Sequence, residues 1–454
     1  MLDDIFRYID EHADEFVQDV VRLCQQPSIS AQGVGLQETA ELVARMLEEA
    51  GATAEILPVV GGPPVVRGAL SGRAGPTLLF YNHYDVQPPD PLEEWQSPPF
   101  QPRVAEGKIV ARGASDNKGN LAARLAALKA WRAVHGELPA SVIFCIEGEE
   151  EVGSPHFLRF LQEHRDRFAA DVCLNEGFGV NSRGQLQIIL GAKGLVYVEL
   201  EVQGPALDVH SSWATVIPNP AWRLVWALST LKGPDDRILI EGFYDDVRLP
   251  SAAELAALEQ IPPEDAVARQ VYGVSRLVND VTGVDFWRKH LLEPTCNICG
   301  LVSGYTGAGA KTITPRTARA KLDFRLVPDQ RPDDILQKLR RHLDRHGFSD
   351  VILTGALEGE PPARTPPDHP FVGLCAEVAE QVYGVPPVIM PTMAATVPMA
   401  QLRETLGVPV ADAGVGYPDN RIHAPNEHIR IADYLTGIKY LVVLLDRLPS
   451  LRTR

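Results

Sequence analysis

The sequence has few cysteines, no excess of basic residues and no long apolar run, and each of these absences excludes a class of protein. No stretch approaches the roughly 18 to 20 consecutive apolar residues that a helix needs to span a bilayer. Asp and Glu number 59 against 43 Lys and Arg, which leaves a net charge of -16. Because nucleic acids and anionic membranes both attract basic patches, this charge predicts a protein that binds neither.

The six cysteines are too few for a disulfide framework in 454 residues. Cys296 and Cys299 form one CxxC pair, but a zinc ribbon requires a second pair, so we interpret this pair as structural. The other four lie in apolar runs and are predicted to be reduced core residues: Cys24, Cys145, Cys173 and Cys375. With an acidic N-terminus that lacks the layout of a signal peptide, this cysteine usage predicts a cytoplasmic protein.

What the chain does contain is an alternation of helical stretches and short apolar runs over its first 191 residues. The first 26 residues predict one amphipathic helix. Apolar runs at 77–81, 141–146 and 172–174 predict buried strands with helices between them. Strands that alternate with helices in this way predict an α/β domain with a mostly parallel sheet.

The pattern changes near Gly191, since residues 196–202 alternate as a half-exposed antiparallel strand does. Two successive strand–helix–strand patterns then predict an α+β insert, in which the stretch 234–300 is interpreted as partly helical and is not resolved further. After a proline-rich segment at 361–367 the α/β character resumes. The first domain is therefore interrupted by the second, with predicted bounds of 1–191, 192–360 and 361–454.

Histidine and acidic residues cluster where the apolar runs end and loops begin. The segment His83–Asp85 follows the first run, Glu149–Glu151 follows the second and Asn175–Glu176 follows the third. Asp116 lies in a glycine-bounded turn before a helix, and His423 comes much later. Because the carboxyl ends of strands in an open α/β sheet form its ligand site, we expect these side chains to converge. Histidine and carboxylate without clustered cysteine are typical of a hydrolytic zinc site.

Each of these residues alone has an ordinary explanation, such as a helix N-cap for Asp116 or a loop histidine for His423. Their joint occurrence favours a metal site, and a count of charges supports it. Asp116, Glu151 and Glu176 carry three negative charges, which two zinc ions and one hydroxide balance. Neutral His83 and His423 then complete the ligand set.

These motifs, in this order, resemble the M20 family of co-catalytic zinc peptidases and amidohydrolases, and most closely its carnosinase-like dipeptidases. The resemblance covers nearly the whole chain. It implies a catalytic domain interrupted by an α+β (ferredoxin-like) lid and dimerisation domain, and hence a homodimer formed through the lid. It also implies two Zn²⁺ per subunit, with Mn²⁺ or Co²⁺ as substitutes.

The resemblance assigns the metal ligands residue by residue. It implies that Asp116 bridges both ions, that His83 and Glu176 complete one site, and that Glu151 and His423 complete the other. The peptide bond after Asp116 is a candidate for the cis form, which family members often have there.

The resemblance also chooses among the three consecutive glutamates. The family pattern Glu-Glu-x-Gly-Ser ends here at Ser154, so Glu150 is expected to be the general base and Glu149 to lie outside the site. Asp85 is expected beside His83, because a metal-binding imidazole needs an acceptor or carboxylate at its other nitrogen.

Three residues in the expected lid resemble substrate-binding positions of the family. His210, in Asp208–Ser211, resembles the lid histidine that reaches the partner subunit's active site. Arg325 resembles the arginine that grips a substrate carboxylate, a task for which its two parallel donors are suited. Thr312 matches a substrate-binding threonine of carnosinase-like members.

One loop departs from the family. Many members carry glycine with serine or threonine before the last histidine, whereas residues 393–398 here read Met-Ala-Ala-Thr-Val-Pro. Ala395 and Thr396 are expected to orient the substrate carboxylate. Because alanines replace glycines, the loop is expected to be tighter or to bind a different end group.

Together these features predict hydrolysis of the amide bond of a dipeptide or similar small aminoacyl substrate. The expected mechanism uses a metal-bridging water, Glu150 as general base and His210 at the oxyanion. Glu176 stands where many aminopeptidase-type members carry Asp, which favours an N-acyl-amino-acid deacylase as the alternative. A non-catalytic metal-binding dimerisation protein is the second alternative.

Overall fold

The computed structural model describes residues 2–73, 75–355 and 359–452. The chain forms two compact units. The first takes the residues up to Gly191, Thr365–Pro391 and the residues from Val397 onward. The second takes Ala192–Arg364 and the short segment Thr392–Thr396. The expected domain bounds assigned that short segment to the first domain.

The elements fall into three successive groups along the chain. The first group comprises α1 (Leu2–Glu11), α2 (Ala13–Gln25), α3 (Leu36–Glu49), β1 (Thr53–Val59), β2 (Gly62–Leu70), β3 (Leu78–His83), β4 (Arg103–Ala105), β5 (Lys108–Val110), α4 (Lys118–His135), β6 (Val142–Glu147), α5 (Phe157–His164), β7 (Val172–Asn175) and β8 (Gln187–Ile189). The second comprises β9 (Gly191–Ala192), β10 (Gly194–Gln203), β11 (Val209–His210), α6 (Pro220–Ser229), α7 (Ala252–Gln260), α8 (Asp265–Tyr272), α9 (Gly283–Leu292), β12 (Asn297–Ser303), β13 (Ile313–Thr314), β14 (Thr317–Leu326), α10 (Pro332–Arg345), β15 (Ile352–Thr354) and β16 (Ala363–Arg364). The third comprises α11 (Pro370–Tyr383), β17 (Val388–Met390), α12 (Met399–Leu406), β18 (Val410–Asp412), β19 (His428–Arg430) and α13 (Ile431–Arg447). Within the described residues, no helix is both long enough and apolar enough to span a membrane.

An eight-stranded sheet in the order β1-β2-β6-β3-β7-β18-β8-β17 forms the centre of the first unit. The four inner strands β6, β3, β7 and β18 run parallel, as do β8 and β17. Antiparallel pairing is confined to β1–β2, β2–β6 and β18–β8. The mostly parallel sheet predicted from the sequence is thus confirmed. The carboxyl ends of β6, β3 and β7 lie side by side.

Helix α4 anchors the core of this unit. It is buried along most of its length and packs against α1, α2, α13 and β3. Because α4 begins two residues after Asp116, this packing fixes the position of the turn that carries Asp116. The four cysteines predicted to lie in the core are buried and unbonded.

The single N-terminal helix expected from the sequence is instead two helices, α1 and α2, which meet at His12. The His12 ring stacks on Tyr8 with centroids 3.8 Å apart, and its Nδ1 lies 2.9 Å from the Tyr8 carbonyl. Both helices bury apolar side chains, Ile5 and Ile9 in α1 and Phe16 among those in α2. The apolar pattern therefore continues across the break and did not reveal it.

The second unit is an antiparallel sheet in the order β12-β14-β10-β15. Helix α6 follows β10 and packs on β10 and β14, and α10 joins β14 to β15 and packs on β10. This strand–helix–strand arrangement occurs twice, and it is the ferredoxin-like α+β fold that was expected. The stretch 234–300, which the sequence left open, contains α7, α8 and α9 and enters β12.

One close backbone approach in the first unit admits only glycine. Gly179 and Gly416 form a parallel bridge, in which Val180 N–H donates to the Gly416 carbonyl at 3.0 Å. A Cβ on Gly179 would lie 1.9 Å from the Gly416 oxygen. Because the obstacle is backbone, a rotamer change cannot relieve the overlap.

We expect Gly179→Ala to lower the free energy of unfolding by about 1 to 3 kcal/mol, the usual range for overpacking. Gly373→Ala is the matched control, since Gly373 is exposed in α11 and its Cβ would meet nothing within 4 Å. It should raise stability by up to about 1 kcal/mol through helix propensity. Urea denaturation of both variants measures the difference, and equal midpoints would contradict the close approach.

Candidate active site

Three neighbouring strands deliver histidine and acidic side chains to the same edge of the large sheet. His83 ends β3, Glu150 and Glu151 lie in a turn after β6, and Glu176 directly follows β7. Because these strands run parallel, their carboxyl ends meet. The convergence expected from the sequence is therefore present in the fold.

Asp116 presents one carboxylate oxygen to each of two histidines. Its Oδ1 lies 3.0 Å from His83 Nε2, and its Oδ2 lies 3.0 Å from His423 Nε2. Glu176 Oε2 lies 3.5 Å from His83 Nε2, and Glu151 Oε2 lies 3.1 Å from His423 Nε2. The five residues predicted as ligands are thus brought together as two groups that share Asp116.

The donor atoms suit a divalent metal ion. His83, Glu150 and Glu176 offer atoms within 4.8 Å of one another, and so do His83, Asp116 and Glu151. Glu176 Oε2 is buried and makes no hydrogen bond to the described residues. A buried oxygen of this kind costs free energy unless a cation or donor satisfies it. Imidazole nitrogen and carboxylate oxygen are both ligands that zinc accepts, so the residues fit the metal that the sequence implied.

The electrostatics of this cluster indicate a shortage of positive charge. Burial raises the pKa of Glu150 well above its usual range, and the charges of Asp116 and Glu151 add to the rise. Hydrogen bonds to Asp116 and Glu151 raise the pKa of His423 to about 10. Burial lowers the pKa of His83, but its hydrogen bonds to Asp116 and to Asp85 carry it well above the ordinary value. The raised pKa values mean that His83, His423 and Glu150 hold protons more tightly than usual. A bound divalent cation would neutralise the same acids in place of those protons.

Asp85 is fully buried and ties His83 to the turn that carries the two glutamates. His83 Nδ1 lies 3.1 Å from the Asp85 carbonyl and 3.3 Å from its Oδ1. Both are acceptors, so Nδ1 carries a hydrogen, and Nε2 is the nitrogen that would be available to a metal ion. The Asp85 carboxylate also accepts the backbone N–H groups of Glu150 and Glu151, at 3.2 and 3.1 Å. Gln87, which the sequence did not single out, donates to Glu151 Oε2 at 2.9 Å.

Glu149 faces away from the cluster, as the family pattern implied. Its carboxylate accepts the backbone N–H of His156 at 2.8 Å and lies 2.9 Å from that ring's Nδ1. Glu150 Oε2, by contrast, lies 3.9 Å from His83 Nε2. The two neighbouring glutamates are thus separated by the turn between them.

A glutamate that sequence reasoning missed holds the loop of Asp116. Glu427 is buried, and its Oε1 accepts the N–H groups of Ser115 and Asp116 at 2.8 and 2.9 Å. Its Oε2 accepts Gly113 N–H at 2.9 Å and Arg112 Nη1 at 2.7 Å. Four donors on one carboxylate leave the loop little freedom. Glu427 lies in a polar segment, so no apolar pattern distinguishes it from a solvated acid.

Asp412, the last residue of β18, holds the loop of Glu176 in the same manner. It accepts the Asn175 side-chain amide at 3.0 Å and the N–H groups of Gly177 and Phe178 at 3.1 and 2.7 Å. Glu176 lies between these anchored residues, so its backbone is fixed on both sides.

The cis peptide expected between Asp116 and Asn117 is present. The Asn117 amide donates to the Glu176 carbonyl at 3.1 Å and accepts a hydrogen bond from Asn82. Arg124, buried in α4, donates to Asn82 Oδ1 at 2.6 Å and to backbone carbonyls at the ends of β3 and β7. Side chains beneath the site therefore connect the turn to both strands.

In the second unit, Arg325 and the loop 394–396 are in contact. Arg325 Nη1 donates to Thr396 Oγ1 at 2.6 Å, and Thr396 Oγ1 donates to the Lys193 carbonyl at 2.7 Å. Lys193 N–H in turn donates to the Ala395 carbonyl at 3.0 Å. Lys193 was not identified from the sequence; it is buried, its Nζ donates to two carbonyls at the end of α9, and burial lowers its pKa to about 7.

His210 and Thr312 lie on a two-stranded ribbon of the second unit. His210 pairs with Ile313, and Ser211 N–H donates to the Thr312 carbonyl at 3.1 Å. The His210 ring is exposed, and its Nδ1 accepts the backbone N–H of Ser212 at 3.1 Å. Because Nδ1 is an acceptor, the hydrogen is on Nε2, which is therefore a donor.

Comparisons with known proteins agree with this fold and cluster. The model of the peptidase family M20/M25/M40 matches residues 79–447. The chain belongs to this family.

A Cys-Gly metallodipeptidase of Schizosaccharomyces pombe is 26% identical over 99% of this chain and 98% of its own. A Beta-Ala-His dipeptidase of Homo sapiens is 28% identical over 99% of this chain and 93% of its own. Among solved structures, an M20 family metallo-carboxypeptidase from Sulfolobus solfataricus is 39% identical with a TM-score of 0.89, covering 96% of this chain and 100% of its own. The family expected from the motifs is confirmed.

We expect Asp116→Asn to reduce bound metal from about two ions per chain to fewer than one, because the shared ligand serves both groups. Glu149→Gln is the matched control, since it changes an adjacent acid that faces His156, and it should keep the full metal content. Elemental analysis after dialysis measures both. A chelator should lower the unfolding temperature of the unsubstituted protein and leave that of Asp116→Asn nearly unchanged. Full metal content in Asp116→Asn would contradict the shared-ligand geometry.

Proposed function

We propose that this protein is a metal-dependent dipeptidase that hydrolyses the amide bond of a dipeptide or similar small aminoacyl substrate. The observation that carries the proposal is Asp116, which offers a separate oxygen to each of two histidine–carboxylate groups, with Glu150 beside them. The two curated relatives named above are both dipeptidases, which supports this substrate class.

In the proposed mechanism His83, Asp116, Glu151, Glu176 and His423 hold two Zn²⁺, for which Mn²⁺ or Co²⁺ can substitute. Bound divalent ions polarise the scissile carbonyl and lower the pKa of water. Free cysteines throughout the described residues support a reducing compartment, and we propose a cytoplasmic location.

Glu150 accepts the proton of the attacking water and then delivers it to the leaving amine. Asp85 supports this step, because it accepts the N–H of Glu150 and so fixes the turn from which the base projects. His210 Nε2 donates a hydrogen bond to the oxyanion that forms on the carbonyl oxygen. Its ring is prepared for this role, because Ser212 N–H already occupies Nδ1.

The substrate carboxylate is assigned to Arg325, Thr396, Ala395 and Thr312. The Arg325 guanidinium is oriented by the hydrogen bond that it donates to Thr396 Oγ1 at 2.6 Å. A planar guanidinium can bind both oxygens of a carboxylate through parallel hydrogen bonds. The Ala395 carbonyl accepts the backbone N–H of Lys193. This hydrogen bond sets the conformation of the loop despite the absence of glycine.

The second candidate is an N-acyl-amino-acid deacylase. The 39% identity with a metallo-carboxypeptidase favours it, since a carboxypeptidase requires the substrate's terminal carboxylate and not a free amine. Glu176, in place of the Asp of aminopeptidase-type members, points in the same direction. Both candidates share the chemistry above and differ in what they require at the substrate's amino end.

A panel of matched substrates separates these candidates. We expect the metal-loaded protein to hydrolyse free dipeptides with kcat/KM at least about tenfold above their N-acetyl counterparts, the size of effect that recognition of a polar end group provides. Dipeptides amidated at the carboxyl end should lose a similar factor, because Arg325 has no carboxylate to bind. Glu150→Gln, prepared in parallel, shows whether any turnover comes from a contaminant. Faster turnover of N-acetyl substrates favours the second candidate, and no turnover with both ions bound favours a non-catalytic metal-binding protein.

The protein is further proposed to form a homodimer through the second unit. Strand β12 is an edge strand, and Ile298, Leu301 and Val302 on it are exposed. On α6, Trp222 and Trp226 stack on each other and are also exposed. An apolar edge strand beside an apolar helix face is suited to pairing with the same surface of a second copy.

We propose that His210 acts in the active site of the partner subunit, and complementation between two inactive variants tests this. Glu150→Gln and His210→Asn homodimers should each be inactive, and Glu150→Gln should keep its metal. Mixing them with subunit exchange should restore activity to about a quarter of the unsubstituted level, because half the dimers are mixed and each has one complete site. Exchange is verified with a mass-tagged subunit. If the exchanged mixture is no more active than its parts, His210 does not act across the dimer.

A further inference from the structure

The second unit contains a cavity of about 400 Å³ that none of the roles above uses. It lies between the segment 232–250, the end of α9 and the residues that enter β12. Neither Arg325 nor Thr396 lines it. Its volume is that of a site for a small organic molecule.

The lining of this cavity is positively charged although the chain as a whole is acidic. Five basic side chains face three acidic ones, an excess of two positive charges in a chain of net charge -16. The basic members are Lys232, Arg237, Arg248, Arg288 and Lys289, and the acidic members are Asp235, Asp236 and Glu293.

Two of the acids are already shared between cations. Asp236 lies 2.5 Å from Lys232 and 3.0 Å from Lys289. Glu293 lies 2.5 Å from Arg288 and 3.3 Å from the same Lys289. These two carboxylates are therefore engaged by three cations, and the third acid, Asp235, accepts the backbone N–H of Arg237 at 3.2 Å.

Arg237 and Arg248 carry the excess charge. The Arg237 guanidinium lies over the Tyr244 ring at 4.9 Å, and among the described residues no carboxylate forms an ion pair with it, since Asp235 accepts only the Arg237 backbone N–H. Arg248 reaches only Glu254, at 3.8 Å, and that carboxylate is hydrogen-bonded to buried Arg364 at 2.9 Å. Both arginines line the cavity, and neither guanidinium has a carboxylate within hydrogen-bonding distance among the described residues.

The rest of the wall is mostly apolar and includes Tyr244, Val247, Leu249 and Leu292. Two arginines with unused donors beside such a wall suit an organic molecule with a doubly charged anionic group. We infer that this cavity is a binding site for a small organic dianion, either a phosphate monoester or a dicarboxylate, held by Arg237 and Arg248. The inference does not depend on the proposed peptidase activity.

The cavity is separate from Arg325 but joined to it by hydrogen bonds. Thr295, which lines the cavity, donates its N–H to the Arg325 carbonyl at 2.9 Å, and its Oγ1 accepts Arg325 N–H at 3.0 Å. A ligand in the cavity therefore contacts the segment beside Arg325 without occupying the space of its guanidinium.

Isothermal titration of the metal-loaded protein at fixed ionic strength tests this site. The probes are phenyl phosphate, phthalate and, as a single-charge control, benzoate. We expect saturable binding of one phenyl phosphate or phthalate per chain, with benzoate at least about tenfold weaker because it has one charge fewer. The tighter of the two dianions identifies the anionic group.

Variants locate the binding. The Arg237→Gln/Arg248→Gln double variant should weaken the dianion at least about tenfold, since both substitutions remove charged donors from exposed positions. Arg341→Gln, at an exposed position of α10 outside the cavity, should bind as the unsubstituted protein does. The inference is overturned by an absence of saturable binding for both dianions, by benzoate binding equally well, or by unchanged binding in the double variant. The last result would assign the anion to the metal ions instead.

Discussion

The constraint on which the site depends is the concentration of carboxylates at the ends of three adjacent parallel strands. Asp116, Glu150, Glu151 and Glu176 lie within reach of only two imidazoles, so the acids outnumber the cations that the protein itself provides. Burial, with the neighbouring negative charges added to it, raises the pKa of Glu150 and shows that a charged carboxylate is costly here. Divalent ions remove this cost, which makes metal binding part of what holds these loops together.

Sharing one carboxylate between two groups requires that its loop be held in place, and buried hydrogen-bonded acids do this. Glu427 accepts four donors around the Asp116 loop, and Asp412 accepts three around Glu176. An unpaired buried charge would cost several kcal/mol, in the range of about 3 to 5. Because five of these seven donors are backbone N–H groups, satisfying the carboxylate and fixing the loop are the same event. The interactions of Glu427 and Asp412 therefore contribute more to the positions of these two loops than to the overall stability of the protein.

The sequence indicated the side chains that converge in the cluster but not those that support them, and the reason is physical. His83 and Glu176 follow apolar runs that end as strands, so their position at one sheet edge could be inferred from local pattern. Glu427 contacts Gly113 across 314 residues of sequence, and three of its four donors are backbone groups that leave no trace in residue type. The sequence indicated only that 234–300 is partly helical and did not place its helices; α8, for example, buries no residue and so contributes nothing to a recognisable core.

Two histidines show how backbone context selects opposite chemistry for the same side chain. At His83 the residue two positions later offers acceptors to Nδ1, the Asp85 carbonyl and carboxylate, which would leave Nε2 to bind a metal ion. At His210 the residue two positions later offers a donor to Nδ1, the Ser212 N–H, which leaves a hydrogen on Nε2. The first tautomer fits a metal ligand and the second fits a hydrogen-bond donor to an anion. Which role an imidazole can take is thus decided by the conformation of the two residues that follow it, a property that residue type alone does not specify.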